Sequence, residues 1–247
     1  MRLSERCFAV TGLGYSPPWF VNAGFIAGDE ITLIVDTGAN AFAGDTVLGY
    51  ATAVRPHNRL RVLNTEKHFD HIGGNTVFAT RGVEIWGHSG IHRSPAEFAD
   101  EVAEFNQSIP NAVRRARGEA NIYFAGTNLT NPEHPFDADT TFDLGNCEVE
   151  ILLTPGHTPT NVCAWQPVER ILYSGDCLIN GYLPNLDAGG PGDWNIWLDS
   201  LRRVEALQPD VIVPGHGAVA RGAGVPRVIS EVRRVLEEAI AAGHPPT

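Results

Sequence analysis

Four side chains able to bind a metal fall within six positions, Glu66, His68, Asp70 and His71, in the stretch Asn64-Thr65-Glu66-Lys67-His68-Phe69-Asp70-His71. An apolar run, Leu60-Arg61-Val62-Leu63, leads in, and Ile72-Gly73-Gly74-Asn75 leads out. At the end of an extended strand Glu66 and His68 point the same way, because side chains alternate with period two. Asp70 and His71 then fall in a turn, where Gly73 and Gly74 allow a sharp reversal into the next helix. A solvated charged loop would pair a single histidine with an acid. Imidazoles and carboxylates at this density suit a hard-to-borderline divalent ion.

Three later segments repeat the pattern of an apolar strand followed by a donor. They are Thr154-Pro155-Gly156-His157-Thr158, Tyr173-Ser174-Gly175-Asp176 and Val213-Pro214-Gly215-His216-Gly217. With the early Asp36-Thr37-Gly38, these pieces span most of the chain. Their order and spacing resemble the metallo-β-lactamase superfamily, whose signature is His-x-His-x-Asp-His, with Glu66 standing where the first His is usual. The resemblance specifies a superfamily rather than a substrate, since that fold hosts many chemistries.

The resemblance implies a ligand set. Glu66, His68 and His157 would hold one ion, Asp70, His71 and His216 a second, and Asp176 would bridge them. It further implies a binuclear hydrolase in which a metal-bridging hydroxide attacks a carbonyl, with Asp70 orienting it and handling its proton. Two divalent ions, zinc first, are the expected cofactors. Glu66 adds a negative charge where the family has a neutral imidazole, which lowers Lewis acidity and shifts preference towards manganese or iron. Asp36 resembles the family's acid that anchors the metal-binding loop; read from the residues alone, it is equally a strand-terminating turn residue.

The expected fold is α/β (α+β), a four-layer αββα sandwich: two mixed sheets face to face, helices on both outer faces, metals at one edge. One domain over residues 1–247 is expected, interrupted at about 89–140 by a helical and loop insertion acting as a lid. Ser94-Pro95-Ala96-Glu97 opens a helix there, with Ser94 as cap and Glu97 closing a capping box. The stretch from Asn121 to Thr141 reads as long and irregular. Helices are expected over Trp194 to Leu207 and from about Val228 to Ala242, the latter with Val228, Val232, Val235 and Ala239 on one face.

The net charge of −11 argues against binding a phosphate backbone. No apolar segment reaches spanning length and the N-terminus is not a signal peptide, so neither nucleic acid nor membrane is an expected partner. The four cysteines, Cys7, Cys147, Cys163 and Cys177, form no C-x-x-C pair and read as buried thiols in a reducing compartment, the cytoplasm.

The expected partner is a small molecule opened at a carbonyl: a thioester, ester, lactone or β-lactam. Asp176 resembles the bridging carboxylate of the thioesterase and lactonase branches. Ile179 stands where one β-lactamase branch has a Lys. A single helix after His216 disfavours a glutathione thioester. Aromatic residues of the segments Tyr15 to Phe20 and Tyr123 to Phe136 are expected to wall an apolar pocket; Tyr15, Trp19, Phe136 and Tyr182 are its candidates. Two other classes remain: an iron-dependent oxidoreductase of the same superfamily, resembling persulfide dioxygenases, and a non-catalytic metal-binding protein. The oxygen-reducing branch carries its Glu at the position of His68, which counts against the first.

Overall fold

A computed structural model describes residues 1–14, 20–108, 123–186 and 189–246. The first half runs β1 (Cys7–Leu13), β2 (Val21–Ala27), β3 (Ile31–Val35), α1 (Ala41–Val54) and β4 (Arg59–Leu63). Short helices α2 (Phe69–Ile72) and α3 (Asn75–Ala79), then β5 (Glu84–His88) and α4 (Pro95–Ser108), follow. The second half runs β6 (His134–Phe136), β7 (Thr140–Asp143), β8 (Glu148–Leu153), β9 (Val162–Gln166) and β10 (Ile171–Asn180). It ends with α5 (Pro191–Ala206), β11 (Val211–Gly217), β12 (Ala220–Arg221) and α6 (Gly224–Ala242).

The strands alternate their side chains between two cores, and this builds the four layers. In β3, Ile31, Leu33 and Val35 face inward and Ile34 outward; in β9, Val162 and Ala164 face inward and Cys163 and Trp165 outward. The inward residues of both halves form one inter-sheet core that includes Cys7, Ile26, Leu63, Ile151, Tyr173 and Val213. Outward residues of the first half pack against Val47 and Ala51 of α1 and Val77 and Phe78 of α3. Those of the second half pack against Trp197 and Leu201 of α5 and Val228 and Val232 of α6. A strand buried on both faces must be mostly apolar, as β2, β3 and β9 are, each with one buried polar residue: Asn22, Thr32 and Gln166. Each fully buried Val or Leu contributes about 1.5–3 kcal/mol. The expected four-layer αββα sandwich is therefore the observed one.

The hydrogen bonding adds something the sequence did not show. The two halves are one continuous mixed sheet, ordered β6-β5-β4-β3-β2-β11-β10-β9-β8-β7, folded over on itself. The join between β2 and β11 is the pairing of Val21 with His216. At the opposite edge, the Arg61 guanidinium lies 5.1 Å from the ring centre of Trp86 and 5.1 Å from that of Phe142. Its Nη2 is 3.1 Å from Glu84. Arg61 thus ties β4 and β5 to β7 where no strand pairing does.

Helix starts lie earlier than periodicity indicates. α5 begins at Pro191, not Trp194, because the proline suits a first turn and the Gly190 amide donates to Asp193 at 2.9 Å. α6 begins at Gly224, four residues before Val228, with Pro226 in its first turn. The stretch expected to be irregular up to Thr141 contains β6 and the start of β7. The capping box of α4 forms as expected: Ser94 N donates to Glu97 at 2.8 Å, and Glu97 N to the Ser94 hydroxyl at 3.2 Å. No described helix is long and apolar enough to cross a membrane.

Candidate metal centre

The donors sit within strands or in the segments that follow them. Glu66 and His68 follow β4, Asp70 and His71 lie in α2, His157 follows β8, Asp176 lies within β10 and His216 within β11. The fold brings all seven sequence-selected residues to one place, in three overlapping groups: Glu66 with His68 and His157; Asp70 with His71 and His216; Glu66 with His71 and Asp176.

In the first group His68 Nδ1 is 2.8 Å from Glu66 Oε2 and 3.2 Å from His157 Nε2. In the second, His216 Nε2 is 3.3 Å from Asp70 Oδ2. Asp176 faces both: its Oδ2 is 3.4 Å from His157 Nε2 and 3.4 Å from His216 Nε2, and its Oδ1 is 3.4 Å from His71 Nε2. Glu66 Oε1 lies 3.3 Å from His71 Nε2 and 3.5 Å from His157 Nε2. Gly215 makes room for this packing, since a Cβ there would come within 1.8 Å of Asp176 Oδ1.

For three of the four imidazoles an outer contact decides which nitrogen looks inward. His71 Nδ1 meets Asp36 Oδ2 at 2.9 Å, His157 Nδ1 the Asn185 carbonyl at 3.2 Å, and His216 Nδ1 the Phe20 carbonyl at 2.9 Å. Carbonyls and carboxylates only accept, so each of these Nδ1 atoms carries a proton and each Nε2 is the nitrogen turned inward. Asp36 also accepts from Thr65 N at 2.8 Å and the Thr65 hydroxyl at 2.6 Å. It makes these contacts from a left-handed backbone, φ 60°. Of its two sequence readings, the contacts favour the loop anchor.

The backbone of His71 has its own support. Its carbonyl accepts from Thr37 N at 3.0 Å and the Thr37 hydroxyl at 3.1 Å, and Asn64 and Asn75 bond each other beside it. Gly73 and Gly74 act differently from the sequence expectation. Both have ordinary right-handed φ, −60° and −82°. They are small because a Cβ on Gly73 would meet the Ala39 carbonyl at 2.1 Å, and one on Gly74 the Thr37 carbonyl at 2.3 Å.

Opposite charges balance tightly here. Burial pushes the Asp70 carboxyl up, but His71 and His216 outweigh it and hold its pKa at about 2. Burial pushes His68 down, but Glu66, then Asp70 and Asp176, lift it to about 9. His71 and His216 are likewise raised, against burial, by the surrounding carboxylates. Asp176 is held low, against burial, mainly by His216 and His71.

Whether a cation fits is answered by what the side chains leave unmet. Glu66 is fully buried, yet neither of its carboxylate oxygens has a hydrogen-bond partner; His71 Nε2 and Asp176 Oδ1 are also buried and unpaired. Buried polar atoms left without hydrogen bonds are penalised. Lone pairs aimed at common points rather than at each other, from imidazole and carboxylate alone, are the donor set of a divalent ion.

The substrate candidates fare differently. Tyr15 and Trp19 lie outside the described residues. Tyr182 is exposed and lines a surface groove of about 380 Å³ with Ile179, Leu183 and Arg234, against α6. Phe136, read by sequence as pocket wall, sits on edge strand β6 with its side chain packed against the inter-sheet core. Residues that sequence reasoning missed are the outer partners Phe20 and Asn185, which act through carbonyls and so leave no side-chain signal. Trp197, selected only as an apolar helix residue, lies edge-on to His157 with centroids 5.5 Å apart.

Comparison with known proteins agrees with this geometry. A hydroxyacylglutathione hydrolase from Rhodospirillum rubrum is 29% identical over 154 residues, covering 62% of this chain and 45% of that protein. A linear primary-alkylsulfatase from Pseudomonas sp. is 23% identical over 243 residues, covering 90% of this chain and 46% of its own length. The chain thus spans under half the length of these two relatives. Among solved structures, a metallo-β-lactamase family protein from Thermus thermophilus superposes with a TM-score of 0.72 at 21% identity, covering 98% of this chain and 82% of that one. The family model described as the metallo-beta-lactamase superfamily matches residues 16–216, from before β2 to the last histidine of the cluster, and the chain belongs to that superfamily.

Proposed function

We propose that the chain is a binuclear metal-dependent hydrolase that opens a carbonyl derivative of a small molecule. The observation that carries this reading is the convergence of seven donor side chains from both halves of the fold, with buried lone pairs left unmet at their centre. Glu66, His68 and His157 would hold one ion, and Asp70, His71 and His216 the other. Asp176, whose Oδ2 faces one histidine of each set, would lie between them.

A divalent cation so held supplies Lewis acidity, polarising an acyl oxygen and making water acidic enough to ionise near neutral pH. The chain's own residues do the rest. Asp70, whose Oδ2 lies 3.3 Å from His216 Nε2 within the second donor group, is the base that orients the attacking water and takes its proton. Asn185, Phe20 and Asp36 keep three imidazoles facing inward, so the site is organised before substrate arrives. Trp197 packs over His157 and shields it from solvent.

The named relatives act, by their names, on a glutathione thioester and on alkyl sulfates. The thioester relative returns glutathione thioesters, which the single C-terminal helix had disfavoured, to the candidates. An oxidoreductase reading has no residue in its favour beyond a carboxylate-rich site.

The test is a chromogenic panel of thioester, lactone, β-lactam, aryl ester and alkyl sulfate substrates, with metal content and oxygen uptake measured on the same sample. Hydrolysis of a carbonyl substrate, lost with chelator and restored by zinc or manganese, is expected. Turnover that survives chelation, oxygen consumption without hydrolysis, or a preference for the sulfate ester would overturn the proposal.

A further inference from the structure

Glu66 and His68 flank one peptide carbonyl, that of Lys67, and its anchor comes from outside the ligand loop. Arg93, just before α4, donates from Nη1 to this carbonyl at 3.2 Å and meets Glu101 of α4 at 2.5 Å. The guanidinium is largely buried, with its side chain 10% exposed. Arg93 is itself clamped through its backbone: its N–H donates to Asn131 Oδ1 at 3.0 Å, and Asn131 Nδ2 donates to its carbonyl at 3.0 Å.

Neighbouring residues of this insertion hold the starts of α3 and α1, which flank that loop. The Thr130 carbonyl accepts from Asn75 Nδ2 at 2.9 Å, and Ala41 N donates to the Thr127 hydroxyl at 3.0 Å. Phe98 of α4 is buried with Phe69 and Ile72 of α2 and with Ala39. Phe69 lies between His68 and Asp70 in the chain. The insertion therefore grips the ligand loop at Lys67, Phe69 and Asn75.

The two halves of the donor set are supported unequally. Asp36, Thr37 and Thr65 brace His71 from within the first half of the sandwich. Fixing the Lys67 carbonyl fixes the plane of the peptide entering His68, and with it the direction of the His68 and Glu66 side chains. A bifurcating, planar guanidinium does this where a flexible ammonium does so less well.

We propose that Arg93 is a positioning residue: through the Lys67 carbonyl it aims Glu66 and His68, so that the insertion sets the affinity of the ion these residues hold. This rests on the metal-binding reading above and assigns the described part of the 89–140 segment a role in building the site.

The experiment is zinc titration of the full chain against a chromophoric chelator, on the wild type, Arg93→Ala, Arg93→Lys, Glu66→Gln and the Arg93→Ala/Glu66→Gln double variant. Thermal unfolding in excess chelator is followed alongside. Arg93→Ala is expected to weaken the ion that Glu66→Gln also weakens, by about 10–100-fold as for other residues that orient ligands. Arg93→Lys should recover part of that loss, and the double variant should lose less than the product of the two single losses, because both act on one pair of donors. If Arg93→Ala does not fold, Glu101→Gln, which frees the guanidinium without removing it, should show the same selectivity at smaller size. Unchanged zinc affinity in Arg93→Ala, or independent and multiplicative losses, would overturn this inference alone. A wild-type chain that takes up no ion would overturn it together with the proposed function.

Discussion

Asp36 reaches His71 Nδ1 at 2.9 Å from a left-handed backbone position, φ 60°. A non-glycine residue there is under strain of order 1–3 kcal/mol. The contacts returned are an ion pair to His71 and two hydrogen bonds to Thr65, which together set the start and the middle of the ligand loop. Asp36→Asn keeps the shape but removes the charge and can present an N–H to a nitrogen that already bears one. Metal affinity should fall about 10–100-fold, read by chelator competition. An Asn variant with wild-type affinity would show that Asp36 serves the turn alone.

Glu66 is expected to ligate rather than stand near an ion. Glu66→Gln should lower ion occupancy, whereas Glu66→His should load well and favour zinc over manganese, since imidazole is the softer donor. Metal content after dialysis against equimolar zinc and manganese checks this. Occupancy that ignores Glu66→Gln would remove it from the ligand set.

Arg61 should matter for stability and not for chemistry. Its guanidinium lies over the rings of Trp86 and Phe142, which touch each other, and pairs with Glu84. Two cation–π contacts and a partly exposed ion pair suggest that Arg61→Ala costs about 1–3 kcal/mol, measured as a shift in urea midpoint with metal affinity unchanged. Arg61→Lys should recover only part, because the flat stacking surface is lost.

All four cysteines are buried and free. A thiol reagent should label none in the native chain and all four in denaturant. Burial, aided by Glu169, raises the Cys7 thiol pKa, and burial raises that of Tyr173. A raised folded pKa means the native state holds its proton longer than the unfolded chain. The stabilisation is therefore complete below the unfolded values, about 8.5 for Cys and about 10 for Tyr. It is lost as pH climbs beyond them. Urea midpoints should fall between pH 8 and pH 10; a flat or rising profile would contradict these burials.

The donor residues were legible because chemistry narrows their types, His, Asp, Glu and Cys being the usual side chains for such an ion, and because an apolar pair or longer run, such as Val62-Leu63, Leu152-Leu153 and Val211-Ile212-Val213, precedes them. The alternation of Ile34 against Leu33 and Val35 likewise encodes two cores. Other features left no trace. Phe20 and Asn185 act through backbone carbonyls, which every residue has. Phe136 reads as a loop aromatic because β6 is three residues long, too short for periodicity to register. Its packing makes Phe136→Ala a stability variant, expected to lower the urea midpoint and leave KM unchanged. Gly73 and Gly74 show the same limit in another form: their smallness answers to Ala39 and Thr37, more than thirty positions away, and no local pattern carries that.

The join at Val21 and His216 has a consequence for how the chain behaves when challenged. Ligands come from both halves, and His68 and His157, 3.2 Å apart in space, are 89 positions apart in sequence. An ion gripped by both works as a removable clasp on a long loop, acting much as a cross-link would. It also draws the folded state down by mass action, by about 2.7 kcal/mol when free ion stands at a hundred times its dissociation constant. Amide exchange in β2 and β11 should then report metal supply: slow in replete conditions, quickened under chelation, with the hinge between the halves opening before either half melts.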